Sequence, residues 1–149
     1  MSTSIFDAPK YDPQRERRRN LTIVIVVAVA ILATITVWMN RNWPEEHVVS
    51  QFFNAIQAQD YEKAYGIWMH DHDWKQHPEK YKNYPYREFY TDWGPGGQWG
   101  LVKSFHVDGS ANPPHGGSGV VVVVTVNDRA ERARIWVEKK DKTLTFSPY

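Results

Sequence analysis

Residues 21–39, LTIVIVVAVAILATITVWM, run nineteen positions without a charge, and Thr22, Thr34 and Thr36 are the only polar groups among them. As a helix the run is about 28 Å long, close to the ~30 Å hydrocarbon core of a bilayer. A helix buried in a soluble core would keep a polar face, and this stretch has none. It is expected to cross a membrane. A cleaved signal peptide would carry a shorter apolar core, about 7–15 residues, followed by a small-residue cleavage site. Thr36-Val37-Trp38-Met39-Asn40 offers no such site, so the segment reads as an anchor that stays.

The flanks set its direction. Arg15, Arg17, Arg18 and Arg19 stand ahead of the run, and Arg41 is the one basic residue close behind it. The positive-inside bias places the N-terminus in the cytoplasm and everything past about residue 40 outside, at the inner membrane of the cell. Arg17, Arg18 and Arg19 suit anionic headgroups, while Trp38 and Trp43 suit the interfacial aromatic belt. Residues 1–20 are polar, basic and broken by Pro9 and Pro13, which reads as a disordered cytoplasmic tail. Residues 40–44 read as a juxtamembrane linker ahead of an exported domain over 45–149.

Past residue 40 the chain carries 13 Lys and Arg against 14 Asp and Glu, so bulk charge gives no reason to expect a nucleic-acid partner. There is no cysteine, which removes disulfides, thiolate nucleophiles and Cys-ligated metals. An exported domain of this length must then be held by one hydrophobic core.

Periodicity outlines that core. Val49, Phe52, Phe53 and Ile56 fall on one helical face, and Asp60 is placed to cap a second helix bearing Tyr61, Ala64, Tyr65 and Trp68. Pro85 opens a third with Tyr86, Phe89, Tyr90 and Trp93 on one side, and Gly94-Pro95-Gly96-Gly97 ends it. Strands are expected over 101–107, with Leu101, Phe105 and Val107 inward, and over 118–126, 130–138 and 143–147. Asn127-Asp128 and Lys140-Asp141 supply turn residues, and 112–117 forms a long exposed connection. Helices first and a strand meander afterwards predict an α+β domain, three helices on a curved antiparallel sheet of about four strands.

The stretch VVSQFFNAIQAQDYEKAYGIW, residues 48–68, resembles the opening helix pair of the nuclear transport factor 2-like superfamily: an apolar helix, a polar step, then Asp60-Tyr61 leading into a second helix. The strand-rich half over 101–149 is similar in order and length. The resemblance implies a sheet curved into a cone around its helices. It implies no activity, since that fold hosts enzymes, binding modules and assembly subunits. A short tail, one membrane helix and an exported domain of this kind are also similar to assembly-factor subunits of bacterial type IV secretion systems.

The densest run of metal-ligating types is HDHDWKQH, residues 70–77. On a helix His70 and His72 would point about 200° apart, and His70 and His77 would lie roughly 10 Å apart along the axis. No two could share a zinc ion, which needs its ligands at about 2.0–2.2 Å from one point. Pro78 disfavours helix at His77, so the stretch reads as a polar connection between helices, with His70, His72 and His77 as weak metal candidates only if it is extended. His106 should face away from the apolar side. No phosphate loop and no nucleophile motif is present. The eleven aromatics from Tyr61 to Trp99 are mostly core by spacing.

In residues 130–138 Ala133, Ile135 and Val137 alternate with Arg132, Arg134 and Trp136. A one-residue slip would bury two arginines, so the second set must face outward together. Trp and Arg are enriched at interface hot spots, which makes Arg132, Arg134 and Trp136 a candidate partner or self-association surface; the plainer reading is an arginine stacked over an exposed Trp136. The reading that follows is a single-pass membrane protein, not an enzyme and without a cofactor, whose exported domain docks or scaffolds a membrane complex. The alternative is a ligand-binding or enzymatic cone with an aromatic-lined pocket, linked to a metal or a proton through residues 70–77.

Overall fold

Helix α1 spans Pro13–Met39, and none of its side chains is buried. In the computed structural model, which describes residues 13–149, it is the one helix long and apolar enough to cross a membrane. It begins eight residues before the apolar run, so residues 13–20, expected as tail, are helical instead. Proline suits a first helical turn, arginine is a good helix former, and Arg19 reaches Glu16 one turn back at 3.9 Å. Residues 1–12 of the expected tail lie outside the described residues. The three threonines of the run solve their own polarity. The hydroxyls of Thr22, Thr34 and Thr36 donate to the carbonyls of Arg18, Ala30 and Leu32 at 2.8–2.9 Å, four residues back. No hydroxyl is then left for the surroundings to satisfy, the condition a lipid environment imposes.

The chain divides at Arg41, and Asn42–Tyr149 form a second unit. Its helix α2, Trp43–Gln57, takes in Trp43 and Pro44, which were expected as linker; Pro44 sits in the first turn, where its missing N–H costs nothing. Val49, Phe52, Phe53 and Ile56 are fully buried, as their spacing requires. Helix α3, Tyr61–Trp68, is capped by the Asp60 carboxylate, which accepts from the Lys63 N–H at 3.1 Å. Helix α4, Tyr86–Trp93, buries Phe89 and Trp93 but leaves Tyr90 46% exposed, its ring set edge-to-face with Tyr61 and tilted against Tyr86. Tyr90 flanks the stripe, where a phenol can keep its hydroxyl wet. The helix stops where it must: a Cβ on Gly97 would stand 2.0 Å from the carbonyl oxygen of Asp92.

Four strands follow as an antiparallel meander in the order β1-β2-β3-β4, and the sheet is not closed. They are β1 Phe105–Ala111, β2 Gly119–Val126, β3 Arg132–Glu138 and β4 Leu144–Phe146. The inward set is Val120, Val122, Val124 and Val126, then Ala133, Ile135 and Val137, then Leu144, all buried beneath the helices. The first strand lies four residues later than its apolar pattern suggests, and its start faces the other way. Val102 is buried, and Leu101 is exposed.

Asn127 explains the shift. Its Oδ1 accepts from the N–H groups of Lys103 and Ser104 at 2.7 and 3.3 Å, and its Nδ2 donates to the Leu101 carbonyl at 2.9 Å. One side chain thus takes three main-chain groups of 101–104, Gln57 Nε2 holds the Lys103 carbonyl at 2.6 Å and the Asn127 N–H the Ser104 carbonyl at 2.9 Å, and ladder pairing begins only at Phe105 opposite Val126. Asn127 can do this because it sits in the β2–β3 turn at φ +52° beside Asp128 at +55°, closed by the Arg129 N–H on the Val126 carbonyl at 3.1 Å. Asn127→Gly keeps the left-handed backbone and removes the side-chain bonds. It should cost about 3 kcal/mol, at roughly 1 kcal/mol per lost bond, and Asn127→Ala about 1 kcal/mol more for the strained φ. Denaturant midpoints of the two variants would check both figures.

Candidate functional site

The connection from α3 to α4 folds around one carboxylate. It holds two short 3₁₀ turns, Trp74–Gln76 and Pro78–Tyr81, where a plain loop was expected. Asp71 leads into them. It accepts from the Tyr81 hydroxyl at 2.5 Å, from the Asp73 N–H at 3.0 Å and faces the His77 Nδ1 at 3.0 Å, with Lys80 Nζ at 3.7 Å. These contacts, the Tyr81 hydroxyl foremost, hold its carboxyl down at about 2. Further bonds fasten the connection to the helices. The Tyr65 hydroxyl donates to the Tyr84 carbonyl at 2.6 Å, Trp74 Nε1 to the Glu62 carbonyl at 3.2 Å, and the Tyr84 hydroxyl to Asp92 at 2.8 Å. Burial, helped by Asp92, drives the Tyr84 phenol far above its usual range; burial alone leads for Tyr65, pushed up to about 12.

The three histidines do not converge. His70 takes the left-handed position after α3 at φ +50°, its N–H on the Ile67 carbonyl. His72 lies at a groove with Gln51, Asn54, Asp60 and Lys63, whose apolar lining is Ala55, Ala58 and Ile67. His77 pairs with Asp71. Among the described residues no three His, Asp or Glu side chains are placed to hold a metal ion. In this geometry Asp71 serves to organise the connection.

The outer sheet face is the second candidate. Arg132, Arg134 and Trp136 share it, as the alternation requires, while Ala133, Ile135 and Val137 are buried. The three outward residues are in different circumstances. Arg132 is engaged by Asp108 at 3.4 Å and by the Arg129 carbonyl at 2.9 Å, and Asp108 in turn accepts from Thr125 at 2.8 Å. Arg134 is exposed. Trp136 is half-buried: its indole lies over β2, where a Cβ on Gly119 would stand 2.6 Å from it, and Tyr149 meets its ring at 6.1 Å. No arginine stacks on it among the described residues, and tyrosine takes that place. Gly119 and Gly117 are the signal that foretells a covering ring, because only glycine leaves room for it.

A cleft that periodicity did not reveal lies beside β4. It measures about 290 Å³, and Trp68, Met69, Tyr81, Tyr84 and Phe146 line it with Lys80 as its one charged wall. Phe146 is half-exposed, yet its ring stacks on Trp93 at 5.8 Å and touches Trp68 at 5.2 Å. The inward face of the sheet itself is filled. Phe52, Phe53, Trp68, Phe89 and Trp93 interlock at centroid distances of 4.9–6.1 Å. Apart from tyrosines, Glu45 is the one titratable side chain among the described residues that is buried.

Asp71 is depressed in the folded state, so its contacts stabilise the protein fully above the unfolded value of 3.8 and lose that contribution as pH falls towards 2. Asp71→Asn should therefore flatten the acid limb of the stability curve between about pH 4 and 2, read by thermal melts across that range. On the sheet, Val137→Ala should cost about 2 kcal/mol for lost burial and its cavity. Trp136→Ala should cost less than Val137→Ala, since its ring is only partly buried; denaturant titration of both gives the order.

No family model, no curated protein and no solved structure matches this chain.

Proposed function

We propose that the protein is a single-pass inner-membrane protein, N-terminus in the cytoplasm, whose extracytoplasmic domain docks or scaffolds a membrane complex. The apolar span of α1 supports the anchor, and the arginine asymmetry across it supports the direction. Trp38, exposed on α1 with the Arg41 guanidinium 5.8 Å from its ring, and Trp43, exposed and stacked on His47 at 4.9 Å, are the interfacial groups. The order of elements, two helices, a third, then a meander, is what the likeness to the nuclear transport factor 2-like superfamily rests on.

The observation that carries docking over catalysis is the filled inward face. A ligand-binding cone needs a cavity with a few polar groups converging at its base. Here aromatic rings occupy that space. What such a domain offers another molecule is its outside.

A reporter active only outside the cytoplasm, fused after Tyr149, should be active, and a cytoplasm-only reporter at that site silent. Moving Arg15, Arg17, Arg18 and Arg19 to the other flank should weaken or invert the insertion. Purification from mild detergent should bring down a membrane-protein partner in fixed ratio; a protein that emerges alone and unassembled would remove the docking reading.

A further inference from the structure

A second hollow is assembled from α3, the two 3₁₀ turns and the start of α4. It measures about 340 Å³, inside the range of small-molecule sites, which runs from roughly 300 to 1,000 Å³. Tyr65, almost fully buried, lies at its base, and Trp74, Tyr81 and Tyr86 wall it together with Pro78 and Pro85. These rings are fixed before anything binds. Trp74 and Tyr86 stack at 5.1 Å, and Tyr65 sets its ring edge-on to them at 4.8 and 5.5 Å. The hydroxyls of Tyr65 and Tyr81 and the indole N–H of Trp74 are already engaged, by the Tyr84 carbonyl, Asp71 and the Glu62 carbonyl. A ligand entering here would lose little to the ordering of its walls.

Two donors at this hollow remain uncommitted. Among the described residues the Arg87 guanidinium has no partner, and neither has the Tyr86 hydroxyl. The other cation, Lys75, is taken by Glu62 at 2.5 Å. One positive charge is therefore left to choose a ligand. Burial, and after it Glu62, holds the Tyr86 phenol above its usual range, so it stays protonated and donates. Asp60 acts on the same phenol, and a second negative charge on a ligand would be repelled by both carboxylates.

We propose that this hollow binds a small organic monoanion, its flat apolar body among the rings and its carboxylate on the Arg87 guanidinium and the Tyr86 hydroxyl. Ring contact supplies most of the affinity. Arg87 selects the charge, on the scale of about fivefold that one exposed ion pair contributes. The site lies outside the filled core and does not rest on the docking reading.

The test uses the full chain in detergent micelles, with naphthalene-2-carboxylate and its neutral amide as probes at up to about 1 mM. Nuclear Overhauser contacts from the naphthyl protons should reach the ring protons of Trp74 and Tyr86. The carboxylate should bind about fivefold more tightly than the amide. In Arg87→Gln, a change at an exposed position, the two probes should come within about twofold of each other. Micelles take up some of each probe, but wild type and variant share that background. Glu62→Gln, which releases Lys75, should widen the preference for the carboxylate. No saturable binding, or naphthyl contacts confined to the Phe146 cleft or to detergent, overturns the proposal. So does a preference for the carboxylate that is absent in the wild type or undiminished in Arg87→Gln.

Discussion

Trp93 is where the domain is joined. From α4 its ring meets Phe52 and Phe53 of α2 at 4.9 and 5.7 Å, Trp68 of α3 at 5.4 Å, and lies nearly parallel to Phe146 of β4 at 5.8 Å. Its indole N–H is buried without an acceptor, a defect that costs about 1–3 kcal/mol. Each aromatic pair contributes roughly 0.5–1.5 kcal/mol beyond burial, so four of them outweigh the missing hydrogen bond before the buried area is counted. A chain without cysteine has no covalent staple to offer. Ring packing around one residue takes that part.

This core also settles which surfaces remain for other work. Phe146 is shared between the core and the cleft, stacked on Trp93 on one side and open on the other. The cleft's far wall is the connection gathered by Asp71, through Tyr81 and Lys80. The cluster of histidines and aspartates thus reads as scaffolding for an aromatic wall, with Asp71 drawing in groups from positions 73, 77 and 81.

Much of this architecture was legible. The buried sets of α2 and α3, the cap at Asp60, the stop at Gly94–Gly97 and the facing of β3 all follow from spacing, because one face of each element must leave water. The misses share a physical cause. Pattern reading assumes that backbone groups pair within their own element, yet the Asn127 side chain takes main-chain groups of Leu101, Lys103 and Ser104 from a turn. It likewise assumes that an outward tryptophan is free, yet Trp136 is partly covered through two glycines on a neighbouring strand and loop. The helical extension over 13–20 was hidden because polar arginines carry no apolar period, although they continue a helix already nucleated downstream. The cleft was illegible for a different reason. It is assembled from α3, the connection and β4, which no local pattern relates.

The start of α2 ties these parts to the point where the chain enters the domain. Glu46 accepts from Ser110 on β1, and Glu45, buried, meets Lys142 in the β3–β4 turn at 2.7 Å. Lys142 reaches it from a left-handed backbone at φ +60°, its Nζ also donating to the Lys139 carbonyl at 2.7 Å. A half-buried pair of this kind is not justified by net stability alone, since desolvation cancels much of its attraction, but losing Lys142 would strand the buried Glu45 carboxylate at a cost below the ~3–5 kcal/mol of a fully buried pair. Its effect is geometric. Two consecutive glutamates hold one end of a helix against strand β1 and the turn before β4, so the sheet cannot pivot on α2 without breaking a charged contact. Strand β4 is thereby fixed in relation to Trp43 and Pro44.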